Sequence, residues 1–305
     1  VAVAVIVAVL ALPTVSLACF GARPLAMGGA FVAVADDVHA TYWNPAGLTK
    51  LLTTEVGATF DTDWQALNYD IFAGVATPVG SRAGVGALYV YNEDDLTRPG
   101  RRQEDHILQA AFGVVVWPLQ PEPSAVTVSF GMAGKYIHRD FVGGNLPEDS
   151  TGMGDLDLSL LVDTGPLVAP RHRMFSLGLL VQDILNSSLD FPHQGRETFA
   201  TNVRPALAFR PDGLTTLALE LYDVAEQAGP MGLRVGAERW FAPGSERPWL
   251  AVRMGGYHIN EERLRAFTFG LGMAVTPRAE LSYTLLHWLD CGETTHLIGV
   301  GYRFL

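Results

Sequence analysis

The sequence predicts an all-β chain: a transmembrane antiparallel β-barrel of about 14 strands, with a short, partly helical N-terminal hatch in its lumen. Three observations lead there. The 305 residues are 49% hydrophobic and only 17% charged, with mean hydropathy +0.19, yet no internal run reaches the ~18 apolar residues that a membrane helix needs. A chain this apolar without spanning helices has one other way to satisfy its backbone in a bilayer, a closed barrel. From residue 53 onward, apolar and polar residues alternate with period two, segment after segment, the mark of half-buried strands. The third observation is the end, Ile298-Gly299-Val300-Gly301-Tyr302-Arg303-Phe304-Leu305, with Ile298, Val300, Tyr302 and Phe304 on one face.

Taken in order, residues 1–18 form an apolar run broken by Pro13 and closing on Ser16-Leu17-Ala18. Small residues three and one before the break suit a signal peptidase, so 1–18 reads as a signal peptide even though no basic start precedes it. Cys19 follows. Lipidation there is the alternative, but a lipid-attachment box wants an aliphatic residue where Ser16 stands. The other cysteine is Cys291. The barrel topology sets the two at opposite ends, so no disulfide is expected.

Residues 19–52 read as the hatch. Gly28-Gly29-Ala30 permits close backbone packing. Asp36, next to Asp37, is placed to N-cap a short helix running to Tyr42 and Trp43. Asn44-Pro45-Ala46-Gly47 ends it, because a residue before proline is pushed out of the α region. Phe31 to Ala35 is alternatively a short strand. The gate candidates are thus Gly28, Gly29, Asp36, Asp37, Tyr42, Trp43, Asn44, Pro45 and Gly47. A fixed plug and a moving gate are equally compatible with this composition.

The barrel proper is 53–305. Fourteen strands are expected near 53–61, 67–77, 83–92, 104–117, 124–138, 154–163, 173–184, 200–210, 213–223, 231–241, 248–257, 265–275, 279–288 and 294–304. Leu217, Leu219 and Leu221 oppose Ala218, Glu220 and Tyr222; Phe267, Phe269, Leu271 and Met273 oppose Thr268, Gly270, Gly272 and Ala274. A soluble sandwich shows the same period. Against it stand the leader, the aromatic last strand and polar faces that carry small residues and isolated charges. Lys135, Asp155, Asp157, Glu220, Arg234, Glu238, Arg253 and Glu280 are the lumen candidates, with Lys135 the expected partner of the two aspartates.

Connections alternate too. Pro78–Ser81, 118–123, Arg210–Gly213, Ala242–Ser245 and Thr276–Arg278 are short and proline-marked, as tight turns are, and short turns belong on the periplasmic side. The longer 165–172 falls in the same set. Stretches 92–103, 139–153 and 186–199 are the expected outer loops, and an even strand number puts both termini in the periplasm. Trp64, Trp117, Trp240, Trp249 and Trp288 are candidates for the interfacial girdles, although Trp240 shares a face with Arg234 and Glu238.

No catalytic constellation emerges, so an enzyme is not expected. The eight histidines show neither a His-x-x-x-His pair nor zinc spacing with cysteine, and His138 and His287 read as rim residues. Asp155 and Asp157 resemble an acid pair but read as structural, and Asn186-Ser187-Ser188 is too short a pattern to weigh. A net charge of −11 with scattered basic residues argues against nucleic acid as a partner. No cofactor or metal is implied.

The Gly21–Leu48 segment, the Asp155-Leu156-Asp157-Leu158 strand, Arg234-Val235-Gly236-Ala237-Glu238-Arg239-Trp240, Arg253-Met254-Gly255-Gly256-Tyr257 and Gly299-Val300-Gly301-Tyr302-Arg303-Phe304 together resemble the PorV/PorQ branch of the FadL-like outer-membrane proteins. The resemblance implies a fourteen-stranded barrel in the bacterial outer membrane, blocked by a hatch carrying Asn44-Pro45-Ala46. Tyr302 and Phe304 then resemble the signal read by the barrel-assembly machinery. It also implies one of two activities: a hatch-gated channel for small hydrophobic molecules or, in the PorV manner, a non-transporting partner of secreted proteins in type IX secretion. This chain is shorter than the fatty-acid transporters and lacks long hydrophobic outer loops, which counts against fatty acids as its cargo.

Overall fold

In a computed structural model, residues 20–304 are described apart from 64–68, 96–100, 119–125, 145–146, 170–171 and 260–263; the leader, Cys19, Trp64 and Leu305 lie outside the described residues. Two short helices, α1 (Ala22–Ala26) and α2 (Ala40–Trp43), and a 3-10 helix (Pro45–Lys50) come first. Strands follow: β1 (Glu55–Asp63), β2 (Tyr69–Val79), β3 (Ala83–Asp95), β4 (Arg101–Trp117), β5 (Val126–Gly143), β6 (Asp149–Ala169) and β7 (His172–Gln182). A small hairpin, β8 (Ser188–Phe191) and β9 (Gly195–Thr198), precedes β10 (Asn202–Phe209), β11 (Thr215–Tyr222), β12 (Gly232–Phe241), β13 (Leu250–Ile259), β14 (Leu264–Ala274), β15 (Ala279–Trp288) and β16 (Thr294–Arg303).

Fourteen of these strands form one closed antiparallel barrel, with β7 pairing directly to β10 and the β8–β9 hairpin outside the sheet. Closure is made by β1 against β16, from Glu55↔Arg303 to Asp63↔Thr295, so both ends of the barrel chain sit at the short-turn end. A closed sheet leaves no edge to pair with another chain.

The alternation resolves into an inverted protein: apolar outside, charged inside. Ile298 is 59% exposed and Leu219 43%, while Glu220 and Asp157 are fully buried. That distribution excludes the sandwich, in which the apolar faces would meet. Tyr302 and Phe304 also face outward, and the Phe304 N–H donates to the Thr54 carbonyl at 2.8 Å.

The wall is lopsided. Strands β4, β5 and β6 are 17, 18 and 21 residues long, whereas β10 and β11 have eight each. Much of what reads as outer loop in 92–103 and 139–153 is therefore strand, continuing a ladder already begun. The stretch 186–199 contains the β8–β9 hairpin, which packs on the inward face of the tall wall. Phe191 meets Phe141 edge to face at 5.0 Å, His193 Nδ1 lies 2.9 Å from Asp149, and Arg139 pairs with both Asp105 and Glu197. Trp288 is not a girdle residue. It packs edge to face on Tyr257 at 5.4 Å, on the face of β15 that carries the buried Leu286. Trp117 is exposed.

Candidate functional site

The lumen is filled by the N-terminal segment. From Phe20 to Leu51 every residue is buried except Arg23, Asp36, His39, Tyr42, Thr49 and Lys50, which are half-buried. Helix α1 opens it, with Pro24 in the first turn, where its missing N–H costs nothing. Phe31–Ala35 is a turn rather than a strand, since the N–H groups of Val34 and Ala35 both donate back to the Phe31 carbonyl. Helix α2 starts at Ala40, with His39 rather than Asp36 before it. Asp36 goes to the Arg23 guanidinium at 2.7 Å, a stronger partner for a half-buried carboxylate than a helix end. It is Asp37 that accepts the His39 N–H, at 2.8 Å. Asn44 does break the helix, at φ −169°. Its side chain accepts the Ala46 N–H at 3.1 Å and donates to the Val32 carbonyl at 2.7 Å.

The segment lies almost in backbone contact with the wall because glycines stand where it touches. A Cβ on Gly255 would fall 2.3 Å from the Gly28 nitrogen, one on Gly236 2.3 Å from the Met27 carbonyl oxygen, and one on Gly131 2.1 Å from the Ala46 nitrogen. Gly28 itself has φ +63°, which other residues adopt at a cost. Gly29 packs beside Arg234 and Trp43, and Gly47 beside the Ala35 carbonyl. Pro45 lies against Gly113 and Gly131. Polar wall residues then meet the segment's backbone. Thr284 donates to the Ala22 carbonyl at 2.7 Å, Thr268 to Ala26 at 3.0 Å and Gln109 to Thr41 at 2.7 Å. Ser159 accepts the Ala46 N–H at 3.0 Å, and Glu220 Oε2 accepts those of Phe31 and Val32, both at 3.1 Å.

Charge completes the attachment. Arg23 forks onto Glu238, with Nε–Oε2 and Nη2–Oε1 both 2.9 Å, and its Nη1 reaches Asp37 at 2.6 Å. Arg253 extends the chain, 2.7 Å from Glu238 and 2.8 Å from Glu280. Burial alone would push the Asp37 carboxyl up, but His39 and Arg23 beside it outweigh that and hold it well below the usual carboxylate range. Burial would likewise lower Arg23, and its three carboxylate neighbours reverse this and raise it well above the ordinary value. Bidentate pairing of this kind is among the stronger charge-assisted contacts. Farther round, Glu220 Oε1 accepts Arg204 Nε at 2.9 Å and lies 3.4 Å from Arg234.

Lys135 lies 2.9 Å from Asp157 and 2.8 Å from Asp183. Asp155 does not take Lys135 as its partner. It accepts backbone N–H groups of Leu185 and Ser187, each at 3.0 Å, which pins the chain leaving β7. Tyr42 stacks on Phe20 at 3.5 Å, and Trp43 donates to the Phe20 carbonyl at 2.8 Å.

Sequence reasoning missed Arg23, Arg204, the wall hydroxyls Thr268, Thr284 and Thr59 (which accepts the Ala22 N–H at 3.2 Å), and Gln109. The glycines at inward positions were the available signal. Below the segment, at the short-turn end, a cavity of about 500 Å³ is lined by Arg23, Asp37, His39, Glu55, Trp240 and Glu280 among others. Trp240 thus faces the lumen. Among the described residues no group of three His, Cys, Asp or Glu is set to hold a metal ion, and Cys291 is exposed.

The overall fold also occurs in solved structures. The Ralstonia pickettii toluene transporter TbuX superposes with TM-score 0.62 over 95% of this chain and 100% of its own, at 11% identity. The fold is FadL-like. A Pseudomonas aeruginosa FadL homologue matches with TM-score 0.60 over 96% and 99% at 10% identity, and the CymD monoaromatic hydrocarbon channel with 0.60 over 93% and 97% at 10%. At such identities the likeness is one of FadL-like fold. No protein-family model matches the sequence, and no curated protein does.

Proposed function

We propose that this chain is a barrel of the bacterial outer membrane that lets small hydrophobic molecules pass, with residues 20–52 as a hatch that must shift for passage. The observation that carries the reading is the way the lumen is blocked. The segment adds no strand to the sheet and is held by hydrogen bonds and ion pairs to separate side chains, contacts that can be exchanged without opening the barrel. The apolar exterior suits hydrocarbon. Two of the fold's neighbours are known as a toluene transporter and a monoaromatic hydrocarbon channel, which supports the cargo class. Both termini lie on the periplasmic side in this reading, and the outward Tyr302 and Phe304 serve recognition by the barrel-assembly machinery.

A cysteine pair at Ala46 and Ser159 tests it, because the Ser159 hydroxyl already lies 3.0 Å from the Ala46 nitrogen. Oxidised Ala46→Cys/Ser159→Cys barrels in liposomes should admit an aromatic solute slowly, and reduction should restore the rate. Equal rates in the two states would overturn a moving hatch. The second reading is a PorV-like, non-transporting partner of secreted proteins. Its support is the extent of the same attachment: charges and glycine seats around most of the wall suit a permanent plug. Co-purification of a secreted protein under mild extraction, together with no solute passage in either redox state, would favour it.

A further inference from the structure

Two buried hydrogen-bond donors on neighbouring strands inside the barrel have no partner among the described residues. Arg234 and Tyr257 are opposite residues of the β12–β13 ladder, 4% and 5% exposed. Arg234 Nε and Tyr257 Oη each lack a partner. Glu220, the carboxylate at hand, is already committed. Its Oε2 accepts Phe31 and Val32 of the hatch, and its Oε1 is taken by Arg204 at 2.9 Å, leaving Arg234 a 3.4 Å contact. Arg204 otherwise bonds the neutral Gln182 at 2.8 Å. Two guanidiniums therefore share one carboxylate, and a buried cation that is poorly paired favours any anion that reaches it.

The surroundings are aromatic. The Arg234 guanidinium carbon lies 4.5 Å from the Tyr222 ring centroid and 6.0 Å from that of Trp43, and Tyr257 carries Trp288 edge-on. These rings already hold guanidiniums, with Arg204 over Trp43 at 5.1 Å and over Tyr222 at 5.6 Å, so what the pair of free donors offers a ligand is recognition of a charged, accepting head. We propose that Arg234 and Tyr257 form a subsite for the carboxylate of a small organic acid. The inference rests on the reading that small molecules reach the lumen. It also ties the ligand to the hatch: an acid that draws Arg234 away from Glu220 changes the charge balance at the carboxylate holding Phe31 and Val32.

Calorimetric titration of the purified barrel with benzoate and with benzyl alcohol, a neutral molecule of similar size, tests it. Benzoate should bind about tenfold or more tightly than the alcohol. Tyr257→Phe, which removes only the hydroxyl, should weaken benzoate about tenfold, the usual scale for one hydrogen bond to a charged group, and leave the alcohol within about twofold. Arg234→Met should erase the preference. Heat-modifiable gel mobility reports whether each variant is folded, and Tyr257→Phe decides the matter if Arg234→Met is not. Equal binding of the two probes by the wild type, or no response to Tyr257→Phe, overturns the subsite and means that these donors serve water. Binding of the alcohol alone sinks the subsite and spares the passage reading; binding of neither probe counts against both.

Discussion

The tall wall of β4–β6 and the short wall of β10–β12 hold the same segment by different means. Between β4 and β5 the ladder runs from Arg101↔Gly143 to Trp117↔Val128. Between β10 and β11 it runs only from Ala206↔Glu220 to Phe209↔Leu217, beginning directly after Pro205, which has no N–H to give. On the tall side the hatch meets mainly glycines and neutral groups, among them Gly113, Gly131, Gln109 and Ser159, beside one ion pair, Lys50 with Asp163 at 3.2 Å. On the short side Gly236 also seats Met27, but charge dominates: Glu220 and Glu238, with Arg204, Arg234 and Arg253 behind them. Where the sheet can hold itself, the plug only needs to fit. Where the ladder is short, the plug also serves to tie the wall together.

The comparison can be broken first at Glu220. Glu220→Ala leaves two guanidiniums and two hatch N–H groups unserved, and stranding buried charge of this kind costs about 3–5 kcal/mol. Heat-modifiable mobility and denaturant unfolding should show the barrel itself weakened, not only the hatch. An unchanged midpoint would mean that the short wall needs no plug. On the tall side, Gly131→Val should cost about 1–3 kcal/mol by overpacking and act on the hatch alone. Residues 20–52 should then become open to protease while the barrel keeps its folded mobility.

Acid should separate the two sides. Asp37 is held below its unfolded value of about 3.9, so its contribution is fully present above that pH and is lost as pH falls further. Protease protection of the hatch should therefore decline only on acidification, and Asp37→Asn should flatten the response. The smallest effect is expected at a single neutral bond. Thr284→Val removes the donor to the Ala22 carbonyl and should cost about 0.5–1.5 kcal/mol, read from the same unfolding curves.

The strands were legible because each carries its own evidence. Alternation at 215–222 or 264–274 is written locally, and a closed barrel demands it of every strand at once. Asn44-Pro45 was legible for the same reason. What was not legible lies in pairings far apart in sequence. Nothing near Asp36 announces that Arg23 will claim it, and nothing near Arg23 announces Glu238, 215 positions away. The β8–β9 hairpin was hidden because its partners, Phe141 and Asp149, belong to strands that run past their expected ends. Trp288 misled because an aromatic near a strand end suits either face, and only the register on Leu286 settles which.

The meeting of β1 with β16 also bears on how the molecule comes to exist. The first strand made must wait for the last, and until it arrives the segment ahead of β1 has lost one of its seats, since Gly299 of β16 lies against Ala22. A chain cut short would thus show an open edge and a loose plug together, two signs of immaturity readable at one place. Closure works as a receipt: the barrel can be shut and sealed only by a polypeptide that has been delivered through to its final strand.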